Sequence, residues 1–307
     1  MAFLAVILIS MFGMPPTLIA AIPPWMSDFI TPTAEVGSIK VDAGVTANGQ
    51  ASINIPIAVP PGRLGMQPEL SIAYSSSGDA GMLGMGFSLK GIPSLMRCPM
   101  DTIHPDRVMP GMVDLCLGGE RLILSSGDHM MLGASYRLRR TPNTRVNIIG
   151  AMEIQGEIEG IAFQVNYGDG LIAVFGYYPE HYYAGRWKIS YTEDPFGNRV
   201  AYSYLAVKDG ITTVALFPDQ ITYTLNSKLD PDNPLDFSNQ DHGTRKVQFV
   251  YEMLPTEQRY TFHTRFDDNL DTQSLHDLGD RSDNRAMHLL DRRLSRIETA
   301  VQVGGAG

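Results

Sequence analysis

The chain has 307 residues, enough for one large or two ordinary domains and for a substantial core. Charged residues are 19% of it, below the usual ~25%, and its 30 glycines and 20 prolines favour a turn-rich β protein over a helical one. A net charge of −9 argues against a nucleic-acid binder, which would show a basic face, and against attraction to anionic lipid.

Residues 1–21 are uncharged and largely apolar, with small residues at Ala20 and Ala21. They read as a secretory signal peptide, although the first lysine is Lys40. Pro15 and Pro16 would interrupt a spanning helix, so no stable membrane span is expected. Residues 22–36 carry prolines and no period, as a linker does. The folded part then begins. Asn48-Gly49 predicts a two-residue hairpin turn with positive φ at both positions. Ile53, Ile55, Ile57 and Val59 alternate as a strand, and Pro56 should place that strand at an edge or at a local break.

Residues 60–99 are dense in glycine and proline with apolar residues between them. Such a stretch is neither helix nor flexible linker; it reads as tight turns joining short strands, 70–74 and 87–89 among them. Further strands are expected at 113–117 and 121–124, around Gly118-Gly119. Arg137, Arg139 and Arg140 form a basic cluster that reads as a solvated strand face rather than a phosphate site. Cys98 and Cys116 are compatible with one disulfide or with two free thiols, and neither C-x-x-C nor histidine spacing supports zinc.

Two hairpins follow. Ile161, Phe163, Val165 and Tyr167 alternate, Gly168-Asp169-Gly170 turns, and 171–175 returns. Trp187, Ile189 and Tyr191 should share a face, with Gly197 and Asn198 taking positive φ in the next turn and Val200, Tyr202 and Tyr204 lining the returning strand. Residues 221–225, 247–251 and 260–266 read as strands; 226–244 is a polar loop and 267–284 an acidic stretch. Residues 285–297 fit either a helix or a strand. The glycine-rich 303–307 carries no stop signal, so a longer chain is expected.

The central stretch carries a resemblance. Pro60, Pro61, Gly62, Gly65, Pro68, Leu70, Tyr74 and Ser76, then Gly81, Gly84, Gly86, Phe87, Leu89, Gly91 and Arg97, stand in the order of a known pattern. It resembles the SpvB/TcaC-type N-terminal domain of insecticidal toxin complex B components and Rhs/YD-repeat-like proteins. Phe87 stands where that pattern has Trp. Residues 97–99 and 114–122 look like segments of Rhs-like relatives, and 187–204 looks like one YD-type repeat unit. The resemblance implies an all-β fold of many short antiparallel strands in a curved, shell-like sheet with long surface loops. Its implied division is 37–140 as the SpvB/TcaC-like domain and 141–307 as a β-meander. It implies a secreted, non-catalytic scaffold that surrounds a toxic polypeptide, without cofactors. Its partners would be further Rhs/YD-repeat segments or a toxin-complex subunit.

Some members of that group are joined to an ADP-ribosyltransferase with a serine-rich strand and Glu-x-Glu. Ser75-Ser76-Ser77 and Glu157-Ile158-Glu159 match its residue types. The serines belong to the shared turn, however, and the glutamates flank Ile158 as outward strand residues do. Asp230, Asp232, Asp236 and Asp241 have calcium-loop density, but Leu235 occupies the position that needs Gly. No histidine stands at metal spacing. Tyr177, Tyr178, Tyr182 and Tyr183 fit cross-strand packing better than a glycan-contacting patch, the alternative being an extracellular glycan- or protein-binding module.

Overall fold

The structure, a computed structural model, describes residues 40–98, 114–154, 157–183, 185–209, 212–227, 244–265 and 285–301. The expected signal peptide and linker, and the Asp230–Asp241 loop, lie outside them. Among the described residues there is no α-helix; single 3₁₀ turns cover Pro179–His181 and Thr256–Gln258. The all-β expectation holds.

The first strands are β1 (Asp42–Val45), β2 (Ala51–Ile57), β3 (Leu70–Ser75), β4 (Ala80–Gly81), β5 (Gly84–Met85) and β6 (Phe87–Lys90). An antiparallel sheet runs β1-β2-β3-β6, and β4 and β5 pair as a small separate ribbon. Odd-numbered positions of β2 bring Ile53, Ile55 and Ile57 opposite Tyr74, Ile72 and Leu70. Pro56 sits on an internal strand. It is tolerated because β1 pairs no further along β2 than Asn54, so Pro56 has no ladder partner to fail on that side.

The next group is β7 (Ser94–Cys98), β8 (Asp114–Leu117), β9 (Glu120–Ser126), β10 (Ser135–Leu138), β11 (Arg145–Ile154), β12 (Glu157–Asn166), β13 (Ile172–Phe175), β14 (Tyr182–Tyr183) and β15 (Arg186–Glu193). Strands β7 to β13 pair each with its neighbour in sequence, and β15 pairs with both β7 and β13. That closes a barrel, which removes the free edges of an open sheet. Strand β15 is also where the sheet forks. Its first half pairs with β7 through Arg186 to Lys188; its second half pairs with β16 (Asn198–Asp209) through Tyr191 to Glu193. From β16 the sheet continues through β17 (Thr212–Asn226) and β18 (Arg245–Met253). Strands β19 (Tyr260–Arg265) and β20 (Arg285–Leu290) pair with each other, and β21 (Arg292–Val301) ends the large sheet on β18. The undecided 285–297 segment is therefore strand.

One apolar cluster runs through barrel and branch. Leu95, Tyr136, Val146, Phe163, Phe175, Trp187 and Ile189 fill the barrel, and Val200, Tyr202, Ile221, Tyr223, Val247 and Phe249 extend it under the branch. Burying each such side chain stabilises by about 1.5–3 kcal/mol. Phe163 and Trp187 meet edge to face at 4.9 Å.

Two local expectations are corrected. The Asn48-Gly49 turn is a three-residue loop: Gly49 N–H donates to Thr46 O at 2.9 Å, Thr46 N–H donates to Gln50 O at 2.8 Å, and positive φ falls on Gly49, not Asn48. This is a type I turn closed by a left-handed glycine. The 168–170 and 195–197 loops repeat it, with Gly170 and Gly197 in the glycine place and Asn198 outside the positive-φ set. The second correction concerns Tyr191. The ladder slips between Val174 and Phe175, which pair with Tyr191 and Ile189, so Ser190 is an extra residue in β15. A bulge reverses the side-chain alternation. Trp187 and Ile189 face the core, while Tyr191 turns to the other side and lies against Arg199 at 4.5 Å.

Candidate functional site

Of the residues singled out from sequence, the glycines, the prolines, Tyr74 and Phe87 lie in one segment: a strap, residues 60–92, laid over the branch sheet. Its first bend is the Pro60-Pro61-Gly62 turn. Gly62 N–H donates to Gln67 Oε1 at 2.8 Å, and Met66 N–H donates to Arg63 O at 2.9 Å. A Cβ on Gly62 would lie 1.9 Å from Met66 O, so no other residue fits. Pro68 is buried, and Met66 packs on the core. The bend is anchored from below by Tyr223, whose hydroxyl donates to Pro60 O at 2.8 Å.

The second bend holds Gly84 and Gly86. Gly86 N–H donates to Asp79 O at 3.1 Å and its carbonyl accepts Ser75 N–H at 2.9 Å. Tyr74 and Phe87 face each other across β3 and β6 with ring centroids 4.8 Å apart. Phe87 packs on Tyr74 but stays 37% exposed. Met82 ties this bend down: its carbonyl accepts Leu294 N–H at 2.7 Å, and its sulfur lies 3.8 Å from the Tyr251 hydroxyl oxygen, whose proton goes to Pro218 O at 2.6 Å. Sequence reasoning missed Tyr223 and Tyr251, because the strap residues they meet lie in a segment whose adjacency only the fold creates; it also missed Gln67, although its partner Gly62 is five residues away.

Arg97 and the cysteines sit at the barrel seam. Arg97 N–H donates to Gly185 O at 2.8 Å, and its guanidinium lies 6.0 Å from the Trp187 ring centre. Cys98 and Cys116 are joined as a disulfide between β7 and β8, with Cα atoms 5.9 Å apart.

The tyrosines pack. Tyr183 is buried and its hydroxyl donates to Val214 O at 2.5 Å; Tyr182 lies 5.3 Å from Trp187. Tyr177 is partly exposed and meets Tyr178 edge to face at 5.2 Å. Beneath them is a pair that the sequence did not reveal. His181 Nδ1 and Ser190 Oγ are 2.8 Å apart, and the same oxygen accepts Tyr177 N–H at 3.0 Å. Which of the two donates is set by the His181 tautomer. His181 is 3% exposed and Ser190 0%, so the oxygen is sealed from any substrate. Burial holds His181 down at about 4, and burial pushes Tyr178 up to about 12. The pair is a satisfied polar contact at the Ser190 bulge. Glu157 and Glu159 lie on β12 of the large sheet, whereas Ser75 ends β3 of the four-stranded sheet. Among the described residues no group of three His, Cys, Asp or Glu side chains could hold a metal ion, and no helix is long and apolar enough to cross a membrane.

The family described as Salmonella virulence plasmid 65kDa B protein, SpvB, matches residues 45–104, a span whose described part holds β2, the strap and β7. Over those residues the chain is similar to the SpvB family. A comparison with curated protein sequences finds no match. Among solved structures, the N-terminal domain of the effector SpvB from Salmonella typhimurium strain LT2 is similar at 14% identity and TM-score 0.53, over 80% of this chain and 86% of that one. A crystal structure of TcdB2-TccC3 is similar at 14% identity and TM-score 0.60, over 85% of this chain. The Photorhabdus luminescens Tc holotoxin pore gives 14% identity and TM-score 0.58 over 86%. At this identity the likeness is one of fold. The chain spans 14% of the TcdB2-TccC3 chain and of the holotoxin chain.

Proposed function

We propose that this SpvB-type chain is a non-catalytic structural module: part of the β-shell of a secreted Rhs/Tc-type toxin or virulence-associated protein, enclosing or delivering a toxic polypeptide. The observation that carries the reading is the strap. Its glycines and prolines are spent on close backbone turns, and its polar groups on anchoring to β17, β18 and β21, rather than on converging toward a ligand. The Cys98–Cys116 disulfide fits an oxidising compartment, hence export. A toxin-complex subunit or further Rhs/YD-repeat segments are the partners this reading supplies.

Limited proteolysis of the protein from its full natural reading frame tests the proposal. The expected result is a protease-resistant interior polypeptide that becomes sensitive in Gly86→Val. Equal sensitivity in both proteins would remove the shell role. The transferase reading is tested separately by NAD hydrolysis on the purified chain. No turnover is expected, and turnover abolished by Glu159→Ala would replace the proposal with an enzyme. A second reading, glycan or protein binding, is favoured by the exposed Tyr177 ring, 39% accessible. A glycan array that shows ligands lost in Tyr177→Ala would support it.

A further inference from the structure

We propose that the outer wall of the barrel over β9, β10 and β11 is a docking surface for a carboxylate-rich segment of a partner polypeptide, gripped by Arg137, Arg139, Arg140 and Arg145. Between residues 120 and 149 stand five arginines and only two carboxylates, in a chain whose net charge is −9. The local excess is therefore opposite in sign to the protein.

The fold aims these side chains outward. Tyr136, Leu138 and Val146 are buried in the barrel, so the alternation of the strands sends Arg137 and Arg145 to the outside, where both are exposed. The register sets Arg137 directly opposite Arg145 on one side and opposite Ile123 on the other. Like charges facing each other across a ladder destabilise a sheet, and a β-branched polar residue would suit either position better. Folding does not ask for this pair.

The charge is also left uncompensated. Among the described residues no ion pair engages Arg137, Arg139, Arg140 or Arg145. The nearby Glu120 carboxylate accepts the backbone N–H of Arg140 and makes no ion pair with these guanidinium groups. Ile123 and Ile149, 43% and 41% exposed, stand on the same wall. Exposed arginine beside exposed aliphatic surface is the composition of a protein interface, and the guanidinium fork matches carboxylate oxygens two at a time. An extended polyanion such as nucleic acid would also meet the negative field of the rest of the molecule. A short acidic segment need only reach the wall. The inference does not depend on the shell reading.

The test uses the full chain and a fluorescein-labelled decaglutamate peptide, followed by anisotropy at about 20 mM and about 300 mM salt. Binding is expected at low salt, weakened by high salt, and weakened at least about tenfold by Arg137→Glu with Arg145→Glu. Lys90→Glu with Lys208→Glu, on other surfaces, should leave it unchanged. No binding at low salt, or equal loss in both double variants, overturns the proposal. Heparin or duplex DNA bound more tightly through the same arginines overturns it too, by assigning the wall to another polyanion. Arg145→Thr separates docking from folding. Weaker peptide binding with a melting temperature unchanged or raised supports the proposal; a lowered melting temperature would make Arg145 a structural residue and overturn it.

Discussion

At Gly91 φ is +96°, and an added Cβ would lie 1.9 Å from Glu69 O, backbone that cannot step aside. At Gly49 φ is +77°, but the space around it is open. The two positions separate conformational strain from collision. Gly49→Ala should cost about 1 kcal/mol, the price of a left-handed L-residue. Gly91→Ala should cost roughly 3 kcal/mol or more, because the backbone at 91 must move away from the start of β3. Urea unfolding of both variants measures the difference, and equal costs would mean that the close approach has no weight. His181 is a second residue-scale case. Burial between Tyr178 and Tyr204 lowers its folded pKa to about 4 from the ordinary 6.5. Glu180 opposes the shift in part. A depressed histidine contributes stability that is present above about pH 6.5 and lost as pH falls toward about 4. The shift corresponds to roughly 3 kcal/mol at most. Unfolding free energy measured across that window should fall, and His181→Gln should flatten it. An unchanged slope in the variant would place the pH dependence elsewhere.

The turn after β15 shows how an element is specified. Asp194 accepts three hydrogen bonds: from Phe196 N–H at 2.9 Å, Asn198 N–H at 2.9 Å and Asn198 Nδ2 at 2.8 Å. Asn198 Oδ1 in turn accepts from Asn226 Nδ2 at 3.0 Å, which ties the loop to the end of β17. Asp194→Ala should destabilise by about 1–3 kcal/mol and raise amide exchange at Phe196 and Asn198 first; exchange raised uniformly would mean the cap is not local. Elements of this kind were legible in the sequence, because Asp, Pro and Gly act within five residues of each other. The three hairpin loops were found for that reason, although the loop length at Asn48-Gly49 and the positive φ expected at Asn198 were misread. The bulge at Ser190 was not legible. No glycine or proline marks it, and the extra residue is defined by the partner strand β13, not by its neighbours in β15. The 285–297 segment stayed undecided because apolar residues spaced by three and four fit a helix until β18 supplies the ladder that makes β21 a strand. For the candidate site, the glycines and prolines of the strap were visible, whereas Tyr223 and Tyr251 were not, since each finds its strap partner more than 160 residues away.

At the scale of the molecule, the barrel closes where β15 pairs with β7 and β13, and the branch leaves from the same strand. A single apolar cluster joins the two parts, so neither can lose its packing without exposing the other. The disulfide acts on this closure. Cys98 ends β7, the strand at the seam, and Cys116 lies in β8, 18 residues on. Closing a loop of that length removes unfolded-state freedom worth about 3 kcal/mol on the chain-entropy account. Cys98→Ser with Cys116→Ser should therefore lower unfolding free energy by about that amount in non-reducing buffer. Reducing agent should bring the parent protein to the level of the variant and leave the variant itself unmoved. Because barrel and branch share one core, the loss should appear as one shifted transition, with tryptophan fluorescence and β-sheet circular dichroism coincident. Two separated transitions in the variant would show that the branch sheet holds without the barrel, and that the fork at β15 is a hinge between independent units rather than a common wall.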